Sequence, residues 1–396
     1  MLFGVLAAIG VGRRDDAISD VGVAAQQLVA LQAVRVSAVR ADAVASSSYL
    51  VGGQEDPAQR QDYLDQIAAS SDGLIEISNR VDSEAAAPLA RASALLSQYV
   101  GLVEQARSNN RQGFPVGAAY QRQANTVMSS DVDGEDDIVD SLAAAEAVQR
   151  TLVNNGLVRA HRAGALLNLS GWALFVLIAA GCAWLAVAFK RRVNVPLIAG
   201  ALLLLVMLTV GAGTQGSAIS SADDAVSGSL TVADLAGQAR SAGYDARAQE
   251  SLTLINRGNG RANEARWVAA AGTARNALDR LCDSRGEGCD LRDGFAAYAA
   301  AHAALRSIDD GGDWESAVAA VRGAATPAAG ADVTGTFNAF ARDGESLVAT
   351  SAADAAAELA DAGSSLGGLR VVVFLAGLVI AVLAVVGYGQ RSREYR

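Results

Sequence analysis

Lysine, histidine, cysteine and proline are all scarce in this chain of 396 residues. It holds one lysine (Lys190), two histidines (His161 and His302), three cysteines and five prolines. So few histidines and cysteines leave little material for a metal centre, and no cofactor is expected. Five prolines permit long uninterrupted helices, and all five fall at expected helix boundaries. Positive charge is also short: 32 basic residues stand against 42 acidic ones, a net charge of −10. Nucleic-acid binding needs clustered positive charge, so no nucleic-acid partner is expected. Catalytic signatures are missing as well. There is no G-x-S-x-G, no acid pair with a base and no kinase motif. Gly258-Asn259-Gly260 follows no strand and precedes no GK[ST], so it is not a phosphate loop. The sequence therefore reads as that of a protein that is not an enzyme.

Apolar residues are abundant, at 51% of the chain, with a mean hydropathy of +0.23. They concentrate in four stretches. Residues 169–189, 195–213 and 369–389 are each long enough for a helix to cross a bilayer, which takes about 20 residues. Residues 1–12 are too short alone, and the expectation is a full first span whose true start lies upstream of Met1. No Asp, Glu, Lys, Arg or His lies within the apolar runs 169–189, 195–213 and 371–389, whereas transport proteins usually place such residues at mid-membrane. Transport is accordingly not the expected function.

The basic residues orient the spans. Lys190, Arg191 and Arg192 fill the short loop 190–194, and Arg391, Arg393 and Arg396 fill the tail 390–396. By the positive-inside rule both are cytoplasmic. The long segments 13–168 and 214–368 then lie outside. Their near-equal length suggests an internal duplication, and so do paired patterns. Asp42 and Asp245 begin similar stretches, and Leu96, Tyr99, Val103 and Ala106 align with Phe295, Tyr298, His302 and Leu305.

Each half reads as all helix. Tyr63, Ile67, Ser70, Leu74, Ile77 and Val81 follow a 4-3 spacing, as do Trp267, Ala271, Ala274, Leu278 and Leu281. These are seams of bundled helices. Asp56-Pro57 pairs a capping residue with a first-turn proline. Gly52-Gly53, Gly113-Phe114-Pro115 and Thr326-Pro327 mark breaks. No turn signal separates Ala165 from Leu169, and only small residues separate Gly213 from Ile219. The outer helices are therefore expected to continue into the spans. The fold class is an all-α membrane protein, with four transmembrane helices and two tandem extracytoplasmic helical bundles.

Three side-chain groups invite a chemical reading. Cys282 and Cys289 flank a short loop, and a disulfide there would contribute about 2–3 kcal/mol in the chain-entropy model. Asp131, Asp133, Glu135, Asp136 and Asp137 fail the EF-hand spacing, because the glycine follows Asp133 directly and position twelve is Leu142. They read instead as an acidic helix start. His302 lies on a helix seam, as a hydrogen-bonded histidine or as a pH sensor.

The layout of four spans, two outer bundles, a Lys190–Arg192 loop and a Gln390–Arg396 tail resembles the GlnX-like four-pass membrane sensors of actinobacteria. Each half also resembles the four-helix-bundle sensor module of bacterial chemoreceptors. The resemblance implies relay of glutamate, glutamine or aspartate availability. An extracytoplasmic amino-acid-binding lipoprotein would dock outside. A cytoplasmic serine/threonine kinase (kinase G) would meet the loop and tail. Lys190, Arg191, Arg192, Arg391, Arg393 and Arg396 are the candidate contacts, and topology anchoring is their plainer role. A homodimer is a further possible partner state. A structural scaffold and direct small-molecule sensing in a bundle groove are the competing readings.

Overall fold

The computed structural model describes residues 2–50, 55–81, 83–130, 135–188, 195–286, 288–323 and 332–394. Among them every regular element is a helix. The order is α1 (Leu2–Tyr49), α2 (Pro57–Ser78), α3 (Ser83–Arg111), α4 (Val116–Met128) and α5 (Ile138–Ala188). Then come α6 (Val195–Ala225), a π-helical turn (Val226–Leu230), α7 (Thr231–Ile255), α8 (Arg261–Arg285), α9 (Cys289–Asp310), α10 (Trp314–Val321) and α11 (Val333–Glu394). A long helix, two of intermediate length, a short one and a second long one thus occur in that order, and the order recurs.

Local chemistry explains the boundaries. The Asp56 carboxylate accepts from the Ala58 amide at 2.9 Å, and Pro57 opens α2 where its missing N–H is no loss. Asp313 caps α10 through the Ser316 amide at 3.1 Å. Gly286 ends α8 in the left-handed conformation, which glycine adopts without a Cβ clash. Pro88 departs from expectation, because it lies inside α3 and not at a boundary. It sits close to the helix start, where one missing i→i−4 bond disturbs only the early turns. Gly52-Gly53 and Thr326-Pro327 lie outside the described residues.

The outer helices do run without interruption into the apolar segments. At 1.5 Å per residue, the 51-residue α5 and the 62-residue α11 are far longer than a bilayer is thick. Among the described residues, three helices are long and apolar enough to cross a membrane: Ala7–Tyr49, Ile198–Ile255 and Val333–Val386. Within the expected span 169–189, residues 169–188 are helical, and Gly171–Gly181 is a shorter apolar stretch. The apolar window of the first helix is 56% buried inside the protein, against 22% and 11% for the other two. Much of the apolar character of α1 therefore serves a protein core. The outward apolar side chains elsewhere, such as Leu177, Val206, Val382 and Val385, suit lipid. These features mark a multi-pass membrane protein.

The chain divides into two compact units. One comprises residues 1–25, 151–228 and 354–396. Inside it, Arg14 donates to Gln215 at 3.1 Å, and His161 meets Asp223 at 3.2 Å. The other unit comprises residues 26–150 and 229–353. It draws on both long segments, and they share one apolar core. Leu31, Val39, Leu89, Tyr99 and Leu142 from the first join Leu235, Leu278, Phe295, Tyr298 and Phe340 from the second. The expected seams are inside it. Leu96, Tyr99, Val103 and Ala106 are buried, and so are Phe295, Tyr298, His302 and Leu305. At Gly117 a Cβ would stand 2.9 Å from the Ala106 carbonyl oxygen, so the bare glycine lets α4 lie close on α3.

Candidate functional site

A chain of polar side chains runs through the core of the unit formed by residues 26–150 and 229–353. It begins at Asp42 on α1, which is 1% exposed. The Asp42 carboxylate accepts from the Tyr99 hydroxyl at 3.1 Å and from the Asn125 amide nitrogen at 2.6 Å. Asn125 turns its carbonyl oxygen to the second long segment. There it accepts from Gln249 on α7 at 3.0 Å and from Arg266 on α8 at 3.0 Å. Gln249 also donates to Asp245 at 3.2 Å and accepts from Asn263 at 2.9 Å. Asn263 accepts from Asn256 at 2.6 Å, and Asn256 accepts from Arg122 at 2.8 Å. Arg122 and Asn125 share one face of α4, so the chain returns to the helix it crossed from.

Such a network has a physical signature. An unpaired polar group in a low-dielectric core costs about 1–3 kcal/mol, so each member holds the others in place. Here the members come from α1, α3, α4, α7 and α8. Asp42 and Asp245, paired by sequence pattern, both enter it. Burial lifts the Tyr99 hydroxyl well above the ordinary tyrosine value, with the Asp42 charge adding to the effect. Tyr99 therefore stays protonated and donates.

The network opens on a groove of about 500 Å³. Arg122, Arg257 and Arg266 line it with Asn256, Asn259 and Asn263. A second groove of about 630 Å³ is lined by Arg40, Asp62, Tyr244, Arg322, Arg342 and Glu345 among others. There Arg40 is paired with Asp62 at 2.8 Å.

Two further clusters stiffen the unit. Asp234 on α7 accepts from Gln32 on α1 and from Arg150 on α5, the latter at 2.7 Å. Around His302, Glu250 bonds Nδ1 at 2.8 Å, Glu264 bonds Nε2 at 3.3 Å, and Trp267 stacks on the ring at 3.7 Å. Burial opposes protonation of His302. The bonds and charges of Glu250 and Glu264 outweigh it and raise the histidine above its ordinary value. His302 in turn holds the Glu264 carboxyl below the usual carboxylate range by its hydrogen bond and charge, with help from Arg306.

The sequence-selected residues fall elsewhere. Cys282 and Cys289 form a disulfide with Cα atoms 4.9 Å apart, at the α8–α9 junction. Lys190, Arg191, Arg192 and Arg396 lie outside the described residues. Arg391 and Arg393 lie in the last turn of α11, and their side chains are outside the description. Asp131 and Asp133 are likewise outside it. Asp137 accepts from the Ser130 and Asp140 amides at 2.8 and 2.6 Å, a helix-start role. No group of three or more His, Cys, Asp or Glu among the described residues could hold a metal. Asn125, Gln249, Asn263, Arg122 and Arg266 were not distinguished by the sequence alone. The available signal was Gln121 and Asn125, one turn apart on a short helix, and Asp245 and Gln249, one turn apart on α7.

Residues 17–155 match the model of an actinobacterial sensor domain. The match runs from α1 through α4 into α5, about a third of the chain, and includes Asp42, Tyr99 and Asn125. It supports an actinobacterial sensor protein with a sensing or signalling role. No curated protein and no solved structure matches the chain.

Proposed function

We propose that this sensor is a non-enzymatic transmembrane signal transducer with four spans. Its two long segments, products of a duplication, lie outside the membrane. One observation carries the reading. The buried network ties α1 and α7 together, and both belong to helices that continue into apolar segments. A change in how α4 and α8 meet alters the partners of Asp42 and Gln249. A continuous helix can pass that change on as a displacement of about 1–2 Å.

The finer reading follows the GlnX-like resemblance. A loaded amino-acid-binding lipoprotein docks on the outer unit. A cytoplasmic serine/threonine kinase reads the inner ends through Lys190, Arg191, Arg192, Arg391, Arg393 and Arg396. The spread of polar partners over both long segments supports a relay, since neither segment can shift without re-pairing the other.

Affinity capture in the native membrane tests this. The full chain is expected to recover an exported binding protein and a soluble kinase, with the kinase lost when the six basic residues are reversed to glutamate. Recovery of only further copies of the chain or envelope proteins would instead assign it a scaffold role.

A further inference from the structure

Three arginines face one groove; Asp42 and Asp245 feel the charge of Arg266 from behind it, while Arg122 and Arg257 turn to the groove. Arg122 on α4, Arg257 after α7 and Arg266 on α8 line it, and no carboxylate is among its described lining residues. None of the three makes an ion pair within 4.0 Å among the described residues, although the protein as a whole is acidic. The second groove offers the contrast. Its Arg40 is paired with Asp62, and Glu345 also lines it.

The guanidiniums are held in position. Arg122 donates to Asn256 at 2.8 Å, and Arg266 donates to Asn125 at 3.0 Å and to the Ser129 carbonyl. Arg257 stacks over the Trp314 indole at 3.8 Å. Its backbone is the sole described non-glycine with positive φ, at 29°. Glycine or asparagine adopts that region more cheaply, so an arginine there carries conformational strain. Strain of that kind gathers where a side chain serves a ligand. The α8 N-terminus at the same groove has Gly260 as its cap and no capping side chain, so its dipole adds positive potential.

The walls are not wholly polar. Leu252, Ile255 and Ala262 supply an aliphatic side, and the amides of Asn259 and Asn263 supply hydrogen-bonding edges. A volume of about 500 Å³ falls in the range of small-molecule sites, roughly 300–1,000 Å³. A bare inorganic anion would leave the aliphatic wall unused. A carboxylate on a short carbon chain uses both walls, because arginine forks bind carboxylates in two-pronged fashion.

The geometry points to direct binding of a small organic acid in this groove, its carboxylate on Arg122, Arg257 and Arg266 and its carbon chain on Leu252 and Ile255. The site extends the sensing role and rests on it. Through Asn256, Asn263 and Gln249 an occupied groove reaches Asn125 and Asp42 by hydrogen bonds alone.

Titration calorimetry on the full chain in nanodiscs tests the site independently of signal relay. The probes are succinate, citrate, L-glutamate and L-aspartate, with succinamide as the uncharged control and inorganic phosphate as the plain anion. The expected result is saturable binding of at least one of the four acids, weakened by added salt and absent with succinamide. Arg257→Gly removes the cation and relieves the left-handed backbone, and Arg122→Gln removes charge but keeps a donor for Asn256. Each is expected to lower affinity roughly tenfold or more with the melting temperature held within a few degrees. Lack of saturable binding by all four acids overturns the assignment. So does binding that neither variant weakens, or phosphate binding tighter than every acid. A kinase that fails to co-purify bears on the relay and leaves this result standing.

Discussion

Asn125 illustrates how much one residue can organise. Its two amide ends serve opposite segments, with Asp42 on one side and Gln249 and Arg266 on the other. Asn125→Ala removes a partner from each at once. Unsatisfied buried groups make this costlier than a single lost bond, at about 2–4 kcal/mol. A drop in melting temperature of about 5–10 °C is expected by scanning calorimetry, and a drop below 2 °C would show the network to be solvated.

His302 gives a pH signature at the same scale. Its folded pKa is raised, so protonation favours the fold. That stabilisation is fully present below the ordinary histidine value of about 6.5 and is lost as pH rises through the raised folded value. Glu264 behaves oppositely: its stabilisation is present above the ordinary carboxylate value and lost as pH falls through the lowered one. Both act fully between about pH 4.5 and 6.5. Thermal melts of wild type against His302→Asn, from pH 5 to 9, are expected to show a difference that shrinks as pH rises. A constant difference would assign His302 a packing role alone. Arg247, Glu250 and Arg306 face the same cluster, which is why the variant difference is the quantity to read.

At the scale of elements, the α8–α9 hairpin combines a disulfide with an aromatic seam. Cys282 and Cys289 are seven positions apart, so the bond closes a short loop. The chain-entropy model gives about 2–3 kcal/mol for such a loop. Reduction is expected to lower the melting temperature of the wild type by several degrees. The double variant Cys282→Ser, Cys289→Ser should already melt low and ignore reductant, and an equal response in both would locate the effect elsewhere. Below the bond, Phe295 and Tyr298 pack edge-to-face with Phe340 and Phe337 of α11. These contacts tie the hairpin to the long helix, so Phe295 and Tyr298 can be read as seam residues from spacing while their partners cannot.

At the scale of the molecule, the decisive feature is the core shared by residues 26–150 and 229–353. A segment comprising residues 13–168 alone would expose the faces of α1 and α4 that meet α7 and α8. It would also take Asp234 from Gln32 and Arg150, and Gln249 and Arg266 from the Asn125 carbonyl oxygen. Expressed alone, that segment is expected to show no cooperative melt as a monomer. Co-expression with residues 214–368 should restore one, read by calorimetry with light scattering. A sharp melt of monomeric 13–168 would mean that each segment is self-sufficient.

Periodicity in the sequence already specified the helices and their seams, because burial on one helix face leaves a 3.6-residue record, and the lack of turn signals specified the long continuous helices. Asp56-Pro57 and Cys282–Cys289 were legible for a related reason, since each depends on neighbours within a few residues. The network around Asn125 and the arginine groove were not legible. Asn125 and Gln249 are 124 residues apart, and a hydrogen bond imposes no repeat on the residues between. Arginine and asparagine also look alike in sequence whether they face solvent or a shared core. Only the tertiary structure, by packing α4 and α7–α8 into one unit, decided that Arg122, Arg257 and Arg266 converge. The scarcity of histidine, cysteine and lysine narrowed the chemistry, and the fold determined where the remaining polar side chains met.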